Sequence, residues 1–212
     1  MVDRQKPYYI IEGKVYARVT RILSIIRDIE YEGNPDPLLM DEAAAVGTKV
    51  HKIIERNLKG LTSPSVGDPR VHSCWKAYQD WKRTREPLLP QSEVLVWSDK
   101  HMVAATIDLI DTECVTDFKT SSRLLLRHWL QVNANAAIYN EWKQRDGNLY
   151  LPYKCRLLRL DKTLAMYEEE VKPFSEPLWE TFLKVKEVYI DILGEELLEG
   201  ELEAIQGGEH GD

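Results

Sequence analysis

The stretch Met102-Val103-Ala104-Ala105-Thr106-Ile107-Asp108-Leu109-Ile110-Asp111-Thr112-Glu113-Cys114-Val115-Thr116-Asp117-Phe118-Lys119 decides the fold. Two runs of Val, Ile, Leu and Thr flank the polar Asp111-Thr112-Glu113, which predicts two strands joined by a tight turn. Antiparallel pairing across that turn brings Asp108 and Asp117 side by side. Residues two apart in a strand share a face, so Lys119 joins Asp117 on one surface. Upstream, Glu93 to Trp97 is a third such run, set off by Ser98-Asp99-Lys100.

Working outward, the periodicity changes from strand to helix. From Leu38 to Lys59 the apolar residues Val46, Val50, Ile53, Ile54 and Leu58 recur at helical spacing, and Gly60 stops the pattern. The loop Gly33-Asn34-Pro35-Asp36-Pro37 precedes this helix, and the loop from Thr62 to Pro69 follows it. A further helix runs through Trp75, Tyr78 and Trp81 and ends before Pro87; its aromatics either stack bases or, as their spacing of three favours, pack the core. The opening Tyr8 to Val19 reads as two strands about a Gly-containing turn, then a helix from Thr20 to Ile26 with Thr20 as its cap. Downstream come a helix from Ser122 to Lys143, strands at Tyr153–Leu160 and Leu164–Val171 joined at Asp161-Lys162, and a closing helix from Ser175 to Glu199. This order predicts an α/β protein with a central mixed β-sheet flanked by helices. At 212 residues one domain is expected: N-terminal strands and loop over 1–37, a core over 38–174, and a C-terminal helix with an acidic tail over 175–212.

Composition narrows the function classes. No apolar run approaches the roughly 20 residues of a membrane-spanning helix, and the first residues lack a signal-peptide stretch, so a cytoplasmic protein with no membrane partner is expected. Cys74, Cys114 and Cys155 form no C-x-x-C pair and read as reduced thiols. The net charge of −7 conceals an asymmetry: nine of the 35 acids lie between Glu187 and Asp212, leaving 26 acids against all 28 bases in the rest. The body of the protein is therefore slightly basic, and an anionic partner is compatible with it.

Two carboxylates beside an ammonium group have the makings of phosphodiester hydrolysis, which needs charge neutralised on phosphate and water made nucleophilic. Magnesium prefers a few carboxylates and retains waters, so two or three acids converging at strand ends suffice. Lys119 would orient the water, lower its pKa or stabilise the charge that develops. D-x-K alone is a common surface pair; its neighbours give it meaning. His51 borders the apolar stripe of its helix, where it serves either as a metal ligand or as a core-edge histidine. Glu93 opens a strand as a further acid or an exposed strand end. Gln131 and Asn135 share a helix face with Ile138 and Trp142, and Gln131 either holds a phosphate or Lys119, or satisfies buried backbone.

In order, Gly47-Thr48-Lys49-Val50-His51, Glu93, Ala105-Thr106-Ile107-Asp108, Asp117-Phe118-Lys119 and Gln131-Val132-Asn133-Ala134-Asn135 resemble the RecB-like branch of the PD-(D/E)XK nuclease superfamily. That branch reads G-x-x-x-H, a strand-opening Glu, G-x-x-D, D/E-x-K and Q-x-x-x-Y. The opening Val15 to Leu23 also resembles phage and prophage members. The resemblance implies a restriction-endonuclease-like core and a magnesium- or manganese-dependent deoxyribonuclease of recombination, repair or phage DNA metabolism. It further implies that His51, Asp108, Asp117 and the carbonyl of Phe118 bind metal. Lys119 is then the base or water-orienting cation, and Glu93 and Gln131 support it.

Three departures stand out. Ala105 replaces a Gly; Asn135 takes the Tyr position, with Tyr139 one turn on; and the cysteines do not fit the four that bind an iron–sulfur cluster in some relatives, so no cluster is expected. DNA, single- or double-stranded, is the expected partner, alongside a recombination or single-strand-binding protein. Candidate DNA contacts are Lys49, Lys52, Arg56, Arg123, Arg127 and Tyr139, and Lys59, Lys82, Arg83 and Arg85 add to the basic clusters. An exonuclease is the expected activity, with an endonuclease of the same fold or a non-catalytic nucleic-acid-binding subunit as the alternatives.

Overall fold

The computed structural model describes residues 8–26, 36–62, 66–145, 147 and 154–206. The expected loop at 33–35, the tip of the loop at 63–65, the first residue of the strand expected from Tyr153, and the tail beyond 206 lie outside them. Strands β1 (Tyr8–Ile11) and β2 (Lys14–Arg18) form a hairpin whose turn places Gly13 at φ 74°, a conformation that costs glycine little. Helix α1 (Val19–Ile22) follows at once, with Arg18 rather than Thr20 in the cap position; Thr20 sits inside the first turn.

Helices α2 (Pro37–Leu58) and α3 (Pro69–Arg85) start the same way. Asp36 accepts the amide proton of Leu38 at 2.9 Å and Asp68 that of Arg70 at 2.9 Å, with a proline in the first helical position of each. Both Asp-Pro pairs therefore launch helices. Strands β3 (Gln91–Ser98), β4 (Val103–Ile110) and β5 (Cys114–Lys119) form the expected trio, and α4 (Leu126–Gln144) follows. Its start falls later than the periodicity suggests, because Ser121 bonds the carbonyl of Arg123 to make a turn and Leu125 donates its amide to His128 Nδ1. Strands β6 (Lys154–Leu160) and β7 (Tyr167–Pro173) precede the closing α5 (Glu176–Gln206). β7 starts late because Asp161 Oδ1 accepts from the amides of Thr163 and Leu164, which gathers those residues into the turn.

The seven strands of the described residues form one mixed sheet in the order β1-β2-β4-β5-β6-β7, with β3 on the other edge of β4. On one face, Ile22, Val96, Ile107, Val115, Leu130, Ile138, Leu157 and Phe182 unite α1, α4 and α5 with the sheet. On the other, Val50, Ile54, Tyr78, Trp81, Phe118 and Leu158 unite α2 and α3 with it. Tyr78 and Trp81 of α3 are buried in this core, and Trp75 is partly buried against it.

One irregularity positions the site. β4 meets β3 along its whole length, but its second edge is shared: β2 pairs in parallel at Ala17↔Val103 and Arg18↔Ala104, while β5 pairs antiparallel only at Leu109↔Thr116 and Ile110↔Val115. Between these contacts the sheet forks, and among the described residues no strand covers 105–108 on that side.

Candidate active site

The fork opens into a cleft of about 320 Å³ lined by His51, Glu93, Asp108, Asp117, Lys119 and Gln131, together with Asn135 and a wall from Tyr9, Arg18, Thr20 and Thr106. Its side chains come from both faces of the sheet. His51 rises from α2 on one side and Gln131 descends from α4 on the other, and an unbroken sheet would keep them apart.

Asp108 and Asp117 do lie near one another, though not in a continuous ladder. The register of the last β4–β5 pairs sets them opposite, yet the amide of Phe118 donates to Asp108 Oδ2 at 2.8 Å, so a side chain takes a backbone partner's place. The other carboxylate oxygen, Oδ1, is 3.1 Å from His51 Nδ1, and His51 Nε2 is 3.1 Å from the carbonyl oxygen of Phe118. A carboxylate and a carbonyl can only accept. Two such contacts therefore require both ring nitrogens to carry protons, which makes His51 an imidazolium. Electrostatics agree: burial pulls its pKa down, but the Asp108 charge and hydrogen bond outweigh this and raise it to about 9. Asp108 is held below the ordinary carboxylate range, because the His51 charge and the bonds from His51 and Phe118 overcome burial.

Asp117 forms a second knot. It is 2 % exposed, with Oδ2 2.7 Å from Lys119 Nζ as an ion pair and Oδ1 accepting from Gln131 Nε2 at 2.7 Å. Lys119 in turn donates to Gln131 Oε1 at 2.8 Å. One carboxamide thus fixes both partners of the D-x-K pair. Burial pushes the Asp117 pKa above its usual range, and Lys119 only partly offsets that push.

Glu93 is the surprise of the trio. Flanking pairs Ser92↔Leu109 and Val94↔Ile107 set it across from Asp108, and it adopts φ 55°, a left-handed conformation that a glutamate enters at a cost. The reward is proximity: ligand atoms of His51, Glu93 and Asp108 all lie within 4.8 Å of one another. One nitrogen and two hard oxygens at that spacing suit a divalent cation. Local sequence gives no sign of this conformation.

The candidate DNA contacts fare unevenly. Lys49, Lys52 and Arg123 are exposed, and Arg127 is partly buried. Arg56 is partly buried too and donates Nε to the carbonyl of Thr62 at 2.8 Å, tying down the end of α2. Tyr139 has to be withdrawn: it is 5 % exposed, packs in the core beside Trp142, and does not line the cleft. Asn135, one turn earlier, occupies that place. The sequence reading also missed Tyr9, Arg18, Thr20 and Thr106 as cleft residues, since nothing local signals that β2 docks in parallel on β4. Cys74, Cys114 and Cys155 are all buried and free. Among the described residues, no helix is long and apolar enough to cross a membrane.

No family model matches the chain, and no curated protein matches it in sequence. Solved structures match its fold. An alkaline exonuclease from Laribacter hongkongensis superposes with a TM-score of 0.51 over 90% of this chain and 94% of its own, at 10% identity. A candidate exonuclease from Eubacterium rectale does so with a TM-score of 0.54 over 91% of this chain and 85% of its own, at 12% identity. At such identities the likeness is one of architecture: the chain shares the fold of these two structures, a mixed sheet flanked by helices.

Proposed function

We propose that this protein is a divalent-metal-dependent nuclease of the RecB-like PD-(D/E)XK kind that hydrolyses phosphodiester bonds in DNA, working from strand ends. The observation that carries the reading is one cleft in which a His51–Glu93–Asp108 ligand set adjoins the interlocked Asp117–Lys119–Gln131 group. The donor set fits magnesium or manganese, with His51, Asp108, Asp117 and the Phe118 carbonyl as holders and Glu93 as a further oxygen. Such an ion supplies charge neutralisation on the phosphate and a more acidic water.

The chain's own groups do the rest. Lys119 Nζ, aimed by Gln131, orients the attacking water and stabilises charge on a non-bridging oxygen. Gln131 also keeps Asp117 in place, so the carboxylate and the ammonium cannot swing independently. Lys49, Lys52, Arg123 and Arg127 supply phosphate contacts that carry the strand past the cleft. An end-directed DNA nuclease of this kind serves recombination, repair or phage DNA metabolism, in the cytoplasm and alongside proteins that deliver or protect the strand.

The test is to incubate the protein with linear and circular DNA labelled at either end, with magnesium, with manganese and with EDTA. Loss of the linear substrates from an end, survival of circles and silence in EDTA are expected. Cutting of circles would make it an endonuclease of the same fold, and binding without hydrolysis in any metal would make it a non-catalytic subunit.

A further inference from the structure

The cleft has a wall that the proposed chemistry does not use. Asn135 is 2 % exposed and lines the cleft one turn beyond Gln131, and its Oδ1 has no hydrogen-bond partner. Beside it, the Arg18 guanidinium lies 4.3 Å from the centroid of the Tyr9 ring, and the Tyr9 hydroxyl is 2.9 Å from Thr106 Oγ1. A buried carboxamide oxygen without a donor is costly, and a ligand that brings the donor recovers that cost.

The chemistry of DNA restricts what the donor can be. Phosphodiester oxygens only accept, so they cannot satisfy Oδ1; the donors left are the N–H groups of the bases, which would tie cleavage to particular terminal bases, and free sugar hydroxyls, which are the same whatever the base. Inside a DNA strand both sugar oxygens are esterified and the deoxyribose has no hydroxyl. A sugar hydroxyl occurs only at a terminus, and a cleft of about 320 Å³ has room for little more than one nucleotide beside the charged groups. Resting on the nuclease reading above, we infer that Asn135 accepts a hydrogen bond from the free hydroxyl of a terminal deoxyribose. It is thus the residue that distinguishes a DNA end from the interior of a strand. Arg18, held against Tyr9, faces the adjoining phosphate of the same terminal nucleotide.

The experiment uses the full chain and four duplexes that differ only at one end: 3′-hydroxyl, 3′-deoxy, 5′-hydroxyl and 5′-deoxy. Cleavage is followed with magnesium, and binding of internally labelled duplexes is followed in EDTA. Removing one of the two hydroxyls should lower kcat/KM and weaken Kd by about tenfold, the size of one lost hydrogen bond. The arm that responds identifies the end recognised. In Asn135→Leu the ratio between hydroxyl and deoxy ends should collapse to about one. Equal handling of hydroxyl and deoxy ends by the unaltered protein would overturn the inference, as would preference by terminal base alone or an undiminished ratio in Asn135→Leu. The comparisons on the unaltered protein decide the matter even if the variant folds poorly. Cleavage without any terminus preference would sink this inference and leave the nuclease reading standing, whereas no cleavage of any duplex would remove both.

Discussion

Replacing Lys119 by Met tests the heart of the site because it affects chemistry and metal affinity in separable ways. The side chain keeps its length and loses its charge, and both the 2.7 Å ion pair with Asp117 and the 2.8 Å bond to Gln131 go with it. At 2.7 Å and an effective dielectric constant of about 20, the lost attraction is on the order of 6 kcal/mol. A pKa unit corresponds to about 1.4 kcal/mol, so forfeiting even a third of that attraction moves the Asp117 titration up by more than one unit. Burial already holds this carboxyl above its ordinary range. In the variant it should be protonated at neutral pH and a poor ligand. Above its new pKa the opposite holds: with a neighbouring cation gone, the variant should bind metal at least as tightly as the parent. Manganese binding measured by calorimetry from pH 6 to 9.5 should therefore show curves that cross. Single-turnover cleavage at saturating metal should fall about 10²- to 10⁴-fold at every pH, the range for losing a positioned acid–base or electrostatic group. Parallel metal-binding curves would refute the electrostatic argument, and cleavage at the parent rate would refute the role of Lys119.

Other perturbations have equally definite outcomes. Metal binding should displace the His51 proton: calorimetry in buffers of different ionisation enthalpy should report about one proton released per ion at pH 7, declining as pH passes 9. The same proton stabilises the metal-free fold. A histidine pKa raised from 6.5 to about 9 gives stability fully present below pH 6.5 and lost as pH rises through 9, and His51→Ala should flatten that slope in thermal melts. His128 behaves oppositely: burial lowers its pKa to about 3, and its Nδ1 must stay unprotonated to accept from Leu125. Its contribution is present above pH 6.5 and falls by up to about 1.4 kcal/mol per pH unit on acidification, so His128→Gln should weaken the acid dependence of urea midpoints. Arg156 lies 2.7 Å from Asp111 and 3.1 Å from Glu169, both well buried. Arg156→Ala leaves Asp111 Oδ2 without its cation, whereas Glu169 keeps Arg85 and Trp81 as partners; it should cost about 3–5 kcal/mol by denaturant titration, and a cost below about 1 kcal/mol would refute a stabilising role for the Arg156–Asp111 pair.

The strand trio, its turns and the D-x-K alternation were legible because period-two patterning and polar turns are local signals. So was the inward lean of His51, which follows from helical geometry. The site as a whole was less so. Its cleft depends on β2 and β5 meeting β4 at different places, a pairing between residues 17–18 and 103–104 that no window of sequence contains. Asn135 and Tyr139 illustrate the limit: both lie near the extension of the Gln131 face, yet one reaches the cleft and the other is swallowed by packing with Trp142. The left-handed turn of Glu93 is another tertiary effect, since a glutamate has no intrinsic preference for it.

The fork also bears on when the protein becomes competent. Its working groups are spread from Tyr9 to Asn135 and sit on elements from opposite layers. A ribosome-bound fragment ending before α4 has the acids and the lysine but lacks the carboxamide that restrains them. On the nuclease proposal, the centre therefore matures late in synthesis, and partial chains should be harmless to nearby nucleic acid.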